Sequence, residues 1–577
     1  MHIRDRAVIG LLSLVLVGLG VVVVVPSLAP EAPGGPTGPT QPPARPYTEG
    51  AVGSVASVSP FSARTTVERE IEALLFRGLV RLGPDDVLIG DLAERWEVDP
   101  KGASWTFHLR PGLTWQDGEP LTADDVVFTI GALSSPDYSG PGATSWREVT
   151  ATSSDPVTVT LTLATPLGGF LQAVTQPIAP AHLLGGVAPA DLPGDAFGQR
   201  PVGSGSFRLA ALDETHALLL RFIPPPVAVG GGGPLSSAPP PTDSLVTAAP
   251  TPSSGTPQPY LDGIEFRLFP DSEALVGAWS AGELDGAFGL PAETANRLAT
   301  SGAHLLRYPT TTLLAVTLNL RPNHPEFKDP AVRRALLQAI DRNAIVSRVL
   351  GGLAAHADSP IPPTSWAFDP VASVPVVHSS KGAVAALTKA GWKRATGGGW
   401  LPKGAKKALT IEILSPEAGA NAAAYAVAEA VAADWRSIGL TVTHIALPDA
   451  ELLGQRLQGG EFGTVVISTG IGLDPDLYPI LASTQVRSGG SNLSGLQDPA
   501  LDALLIKARA PGTDEVRRAA YTALQTGLSK GRYLLPIAFP EVVVVVRDTL
   551  SGPDPRPIGA PGDRFWDVLT WRLAVGQ

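Results

Sequence analysis

Not one cysteine occurs among the 577 residues. Disulfides, thiolate metal sites, iron–sulfur clusters, cysteine nucleophiles and cysteine-linked lipid anchors are therefore excluded. Basic charge is also scarce: the formal net charge is −11, and no long Lys/Arg-dense run could neutralise a series of phosphates. Nucleic acid is thus not an expected partner. The chain has no S-x-x-K, H-E-x-x-H, G-x-x-x-x-G-K-[ST] or G-x-G-x-x-G. Its nine histidines are scattered without ligand-like spacing, which gives no support to metal ligation by side chains. No cofactor and no catalytic residue are expected.

What is present reads as a folded, exported chain. Hydrophobic residues make up 44% and charged residues 17%, enough apolar content for large cores, and the length allows more than one. His2-Ile3-Arg4-Asp5-Arg6 is a short cationic lead, and residues 7–25 form an apolar run of 19 residues without a charge. As a helix that run measures about 28 Å, enough to cross a hydrocarbon core of roughly 30 Å. Arg4 and Arg6 would stay in the cytoplasm and place the rest outside. Ser27-Leu28-Ala29 also has the small-x-small shape of a signal cleavage site, with Pro30 after it. Anchored or cleaved, the body is expected to be extracytoplasmic, at the cell surface or in the periplasm.

Residues 26–46 are rich in Pro and Gly and read as a tether; residues 224–259 have the same character and read as a disordered surface insertion. Elsewhere strand and helix signals alternate. Residues 67–79, 330–345 and 422–438 have helical spacing, while 105–109, 157–163, 217–222, 264–268 and 440–445 read as strands. The mixture predicts α/β architecture.

Several motifs then recur in an ordered series. Residues 74–127 read LLFRGLVRLGPDDVLIGDLAERWEVDPKGASWTFHLRPGLTWQDGEPLTADDVV. PVGSGSFR follows at 201–208, YLDGIEF at 260–266, FKDPAVRRAL at 327–336 with Asp341-Arg342, SPIPPTSW at 359–366, and Ser491-Asn492-Leu493 leading to DPALD at 498–502. In this order they resemble family 5 extracytoplasmic solute-binding proteins, the dipeptide, oligopeptide and nickel binders. The resemblance implies a two-lobed, periplasmic-binding-protein-like fold of type II, with an extra domain in lobe one and a hinge between lobes. It also implies a small-molecule or peptide ligand, the permease subunits of an ABC transporter as partner, and a monomer. On that pattern residues 47–82, 201–312 and 548–577 build lobe one, 83–200 the extra domain and 313–547 lobe two. A membrane-tethered sensor or surface interaction protein on the same fold is the alternative. Acidic pairs such as Asp124/Asp125 and Asp474/Asp476 leave a hydrolase as a third reading, without the carboxylate separation it needs.

Most motif residues have structural readings. Asp117-Gly118 fits a tight turn, Thr122 with Asp125 a helix cap, and 201–205 a lobe-crossing turn. The candidate ligand contacts fall in lobe two: Trp366, Thr469, Ile471, Asp474, Tyr478 and Asn492. The resemblance implies that residues 467–478 (ISTGIGLDPDLY) lie in the cleft, where peptide-binding relatives carry a tryptophan and then an aspartate that pairs with the ligand's α-ammonium. Here Ser468 and Ile471 stand at those positions, which argues against a free peptide N-terminus as the anchor. Asp474 could take over that role or cap a helix ahead of Pro475. Trp366 and Tyr478 offer aromatic walls, and Asn492 both a donor and an acceptor.

Overall fold

The computed structural model describes residues 45–84, 87–223, 245–248, 260–487 and 489–574, with 245–248 described by backbone alone. The expected anchor at 1–25 and nearly all of the tether at 26–46 lie outside the described residues. Among the described residues no helix is long and apolar enough to cross a membrane.

Local chemistry sets most element ends. Thr65 and Glu68 form a capping box that starts the helix Thr66–Leu75, and Thr122 with Asp125 does the same for Ala123–Ser134. The first helix stops at Leu75, short of the expected 79. The Leu75 carbonyl there accepts from the amides of Ser204 and Gly205, at 3.0 and 2.8 Å, so the turn at 201–205 clamps a helix end within lobe one. It does not cross between lobes. The expected helix at 330–345 is also interrupted: Pro330–Ala339 ends at an extended Ile340, and Asp341 caps a fresh turn, Arg342–Ala344. The Asp341 amide meanwhile donates to Asp434, at 2.8 Å, which fixes the break.

One mixed sheet of twelve strands runs through both lobes. Its link is the strand Leu534–Arg547. Residues 534–538 pair with Thr312–Leu318 of lobe two, and 541–547 pair with Ala303–Pro309 of lobe one. The chain therefore changes lobes at 309–312 and again near 540. The Thr310 hydroxyl donates across the two crossings to the Pro540 carbonyl, at 2.6 Å. The return falls inside a continuous strand, about seven residues before the expected 547/548 boundary. Val544 and Val546 pack in the first core with Tyr47, Phe61 and Phe266, whereas Leu535 and Ile537 pack in the second with Val316, Ile413 and Trp435. A strand buried or half-buried along its whole length passes from one core to the other without a turn.

The extra domain holds a five-stranded sheet, and its Trp105, Phe107, Val159 and Leu161 share the first core. Its edge strand is Leu245–Ala248, antiparallel to Ala93–Val98. That corrects the expectation of disorder for these four residues, whose Leu-Val-Thr sequence suits a strand. The rest of the insertion lies outside the described residues.

Candidate functional site

In lobe two, Thr410–Pro416, Thr441–Leu447 and Thr464–Gly470 run parallel, with Thr464–Gly470 also paired antiparallel to Thr312–Leu318. Gly470 lies opposite Thr312, so the carboxyl end of that strand reaches the crossing. This is where open α/β sheets leave a crevice for ligands. Ser468 and Gly470 are exposed there and Thr469 is half-buried. Asn421, which caps the helix Ala422–Ser437, donates to the Ser468 hydroxyl at 3.4 Å. Just beyond, the Ile471 amide donates to the Thr311 carbonyl at 3.1 Å, tying the segment to the crossing.

The segment after Ile471 forms a platform of paired charges. Arg517 donates two parallel bonds to Asp474, at 2.7 and 2.8 Å. Its guanidinium lies 4.8 Å from the Trp366 ring, and Trp366 meets Tyr521 edge-on at 5.2 Å. Burial works against the Arg517 charge, yet its bonds to Asp474 hold its pKa above the ordinary range. Two residues after Asp474, Asp476 pairs with Arg509 at 3.0 Å, and Arg509 covers the Tyr478 ring at 4.4 Å. Burial pushes the Asp476 carboxyl up, with Arg509 opposing.

Lobe one lands on this platform. The Gly168 amide donates to the Arg509 carbonyl, at 2.8 Å. Gly169 packs so close that a Cβ there would lie 2.6 Å from the Asp474 carboxyl carbon, and one on Gly559 would lie 3.0 Å from Leu473. Only glycine fits at 169 without displacing Asp474.

The structure sorts the candidates. Asp474, Trp366 and Tyr478 come together at the seam, and Thr469 lies at the strand end. Asp474 neither caps a helix nor stands free: the following helix, Tyr478–Leu481, starts too late, and Asp476 instead accepts from the Tyr478 amide at 3.0 Å. Ile471 is buried in the apolar cluster of Leu313, Leu477 and Tyr521, and offers a ligand no side-chain contact. Asn492 is likewise corrected: it is buried, donates to the carbonyls of Leu481, Ala482 and Leu496, and accepts from Ser494. Its hydrogen-bonding capacity is spent on the loop. Sequence reasoning missed Arg509, Arg517 and the Gly168-Gly169 turn, because nothing in the sequence relates them to Asp474.

Two catalytic look-alikes fail on geometry. Gly527-Leu528-Ser529-Lys530-Gly531 fits G-x-S-x-G, but it lies within the helix Asp514–Gly531, and Ser529 donates to the Ala372 carbonyl. Ser415, His444 and Glu429 are linked in series, with Ser415 Oγ 2.8 Å from His444 Nε2. Ser415 is fully buried, so no substrate carbonyl can reach it. Among the described residues no group of three or more His, Asp or Glu side chains could hold a metal ion.

Comparison with known proteins identifies the family. Residues 87–490 match the model of bacterial extracellular solute-binding proteins, family 5 Middle. The oligopeptide-binding protein AppA of Bacillus subtilis is 28% identical over 73% of this chain and 72% of its own. Its structure with a nonapeptide superposes with a TM-score of 0.71 at 23% identity, over 92% of this chain and 99% of that one. NikZ from Campylobacter jejuni, solved with Ni(L-His), gives a TM-score of 0.70 at 21% identity, over 91% and 99%. The chain therefore belongs to family 5 of the bacterial extracellular solute-binding proteins, which capture a solute outside the cytoplasm for an ABC importer.

Proposed function

We propose that the solute is held between the lobes, against the strand end at Ser468, Thr469 and Gly470, and that the Asp474–Arg517 platform latches the closed form. The observation that carries this reading is the landing of Gly168-Gly169 on Asp474 and Arg509 next to the two crossings. Rotation at 309–312 and near 540 opens and closes the lobes as rigid bodies. The closed form docks on the permease subunits of an ABC importer, as a monomer tethered to the membrane or released by cleavage at its N-terminus.

The pocket chemistry narrows the ligand. Ile471 carries no charge and is buried, and Asp474 is fully engaged by Arg517, so neither supplies an anion for an α-ammonium. The relatives' ligands, a nonapeptide and Ni(L-His), mark the range that this fold accommodates. The reading is a peptide-like or other small solute gripped along its backbone or body. Thermal shift of the full-length chain tests it, using matched oligopeptides with free or acetylated N-termini beside sugars, amines and metal chelates. A ligand at 100 times its Kd stabilises the native state by about 2.7 kcal/mol. Acetylated peptides should shift the melting temperature as much as free ones; a response confined to free N-termini would overturn the ligand assignment.

A further inference from the structure

The helix Thr66–Leu75 carries three acidic side chains on successive alternate positions, Glu68, Glu70 and Glu72, and the fold treats them differently. Glu68 accepts from the amides of Ala56, Arg64 and Thr65. Glu70 is held by Arg564 through two bonds, at 2.7 and 2.9 Å. Glu72 is only 9% exposed, yet it accepts no hydrogen bond from any side chain or amide of the described residues. A buried carboxyl without a partner is costly, and such groups in native folds call for an explanation.

Glu72 lines a cavity of about 430 Å³. That volume lies within the range of small-molecule sites. The apolar parts of the walls come from Phe76, Val80, Phe207, Phe565 and Val568, and all the lining residues belong to lobe one and its extra domain. None comes from lobe two, so the cavity is separate from the seam at Asp474. Other charged groups on its walls have partners. Arg77 pairs with Asp91 at 2.6 Å, and Asp563 accepts from the amides of Gly559 and Ala560. Arg69 and Arg81 also line it, and both are exposed.

We propose that this cavity is a second binding site, for a small organic ligand with an apolar body and a protonated amine that pairs with Glu72. Burial pushes the Glu72 carboxyl up to about 8, with the nearby Arg69 opposing and Glu68 adding to the rise. An ammonium seated against it would supply a counter-ion, and the aromatic walls would take the apolar body. Because its walls come from helix Thr66–Leu75, the extra-domain segment at 173–177 and the C-terminal segment at 560–569, an occupant would brace the extra domain against lobe one.

Titration calorimetry of the full-length chain with phenethylamine, and with phenethyl alcohol as its uncharged analogue, tests the proposal near neutral pH. The amine should bind at least about tenfold more tightly than the alcohol. Glu72→Gln, which keeps the shape and removes the charge, should abolish that preference while leaving cleft-ligand binding and folding intact. Asp474→Asn, at the seam, should leave amine binding unchanged. Equal binding of amine and alcohol, an unchanged amine affinity in Glu72→Gln, or loss of amine binding in Asp474→Asn would each overturn it, as would no heat of binding with either probe.

Discussion

Of the arginines that hold carboxylates, Arg564 in the first lobe and Arg517 in the second do different work. Arg564 lies between Glu49 and Glu70 in the first core, all three almost wholly buried, with Tyr47 donating to Glu49 at 2.8 Å. Nothing in solution can reach that cluster, so its bonds serve only to tie the C-terminal segment to the first strand and first helix. Arg517 makes an equally direct pair with Asp474, but both keep 11% and 17% of their side-chain surface exposed, and the Gly168-Gly169 turn of the other lobe rests on them. The same chemistry stabilises a fold when sealed and shapes an interface when left at a seam. Burial decides which, because removing one partner of a sealed pair strands a charge, whereas a pair at a seam can be re-solvated.

The comparison can be broken in four places. Arg564→Met should cost about 3 to 5 kcal/mol by denaturant unfolding, because it strands two buried carboxylates; ligand affinity of the surviving folded protein should not change. Asn492→Ala should cost about 1 to 3 kcal/mol in the same measurement, since three buried carbonyls lose their donor. Affinity unchanged in that variant would separate a loop-holding residue from a ligand contact. Gly169→Val leaves stability near wild type but places a side chain into Asp474, so solute affinity should fall about tenfold, and small-angle scattering with ligand should report incomplete closure. Arg517→Lys keeps the charge and loses the bidentate fork and the stack on Trp366, and should weaken solute binding by under about 1 kcal/mol. If Arg517→Lys instead unfolded the protein, the platform would be structural like the Arg564 cluster.

The pH response of the unpaired Glu72 sharpens the contrast further. Its carboxyl is raised by burial to about 8, against about 4.3 when unfolded. The folded state therefore holds the proton more tightly. This group's contribution is fully present below the unfolded value and is lost as pH rises through about 8. Melting curves of wild type and Glu72→Gln should accordingly match most closely near pH 5 and diverge in favour of the variant toward pH 8.

Much of the fold was legible, for reasons that are local. The cap at Thr122, the stop at Gly439 with its φ of +80°, and strict alternation in Ser104–Leu109 and Thr158–Leu163 are set by neighbours within a few positions. The site was legible only in part. Residues 467–478 do run along the crossing and the seam, but Ile471 and Asn492 turned inward to an apolar cluster and a loop. Neither orientation has a signature in sequence, because an apolar residue after a strand and an Asn in a turn serve cores and ligands equally well.

The alternating α/β elements, the ordered motifs of the family and the lack of cysteine could be read from the chain alone. These depend on periodicity, composition and short spacings. Where the chain changes lobes was settled by tertiary pairing, since the strand Leu534–Arg547 runs unbroken through the crossing. Tertiary structure alone paired Asp474 with Arg517, set Gly169 against them, and left Glu72 without a partner while Arg564 took Glu70. Those outcomes depend on which surfaces meet across separations of tens to hundreds of residues, where side-chain identity sets what is possible and packing selects what occurs.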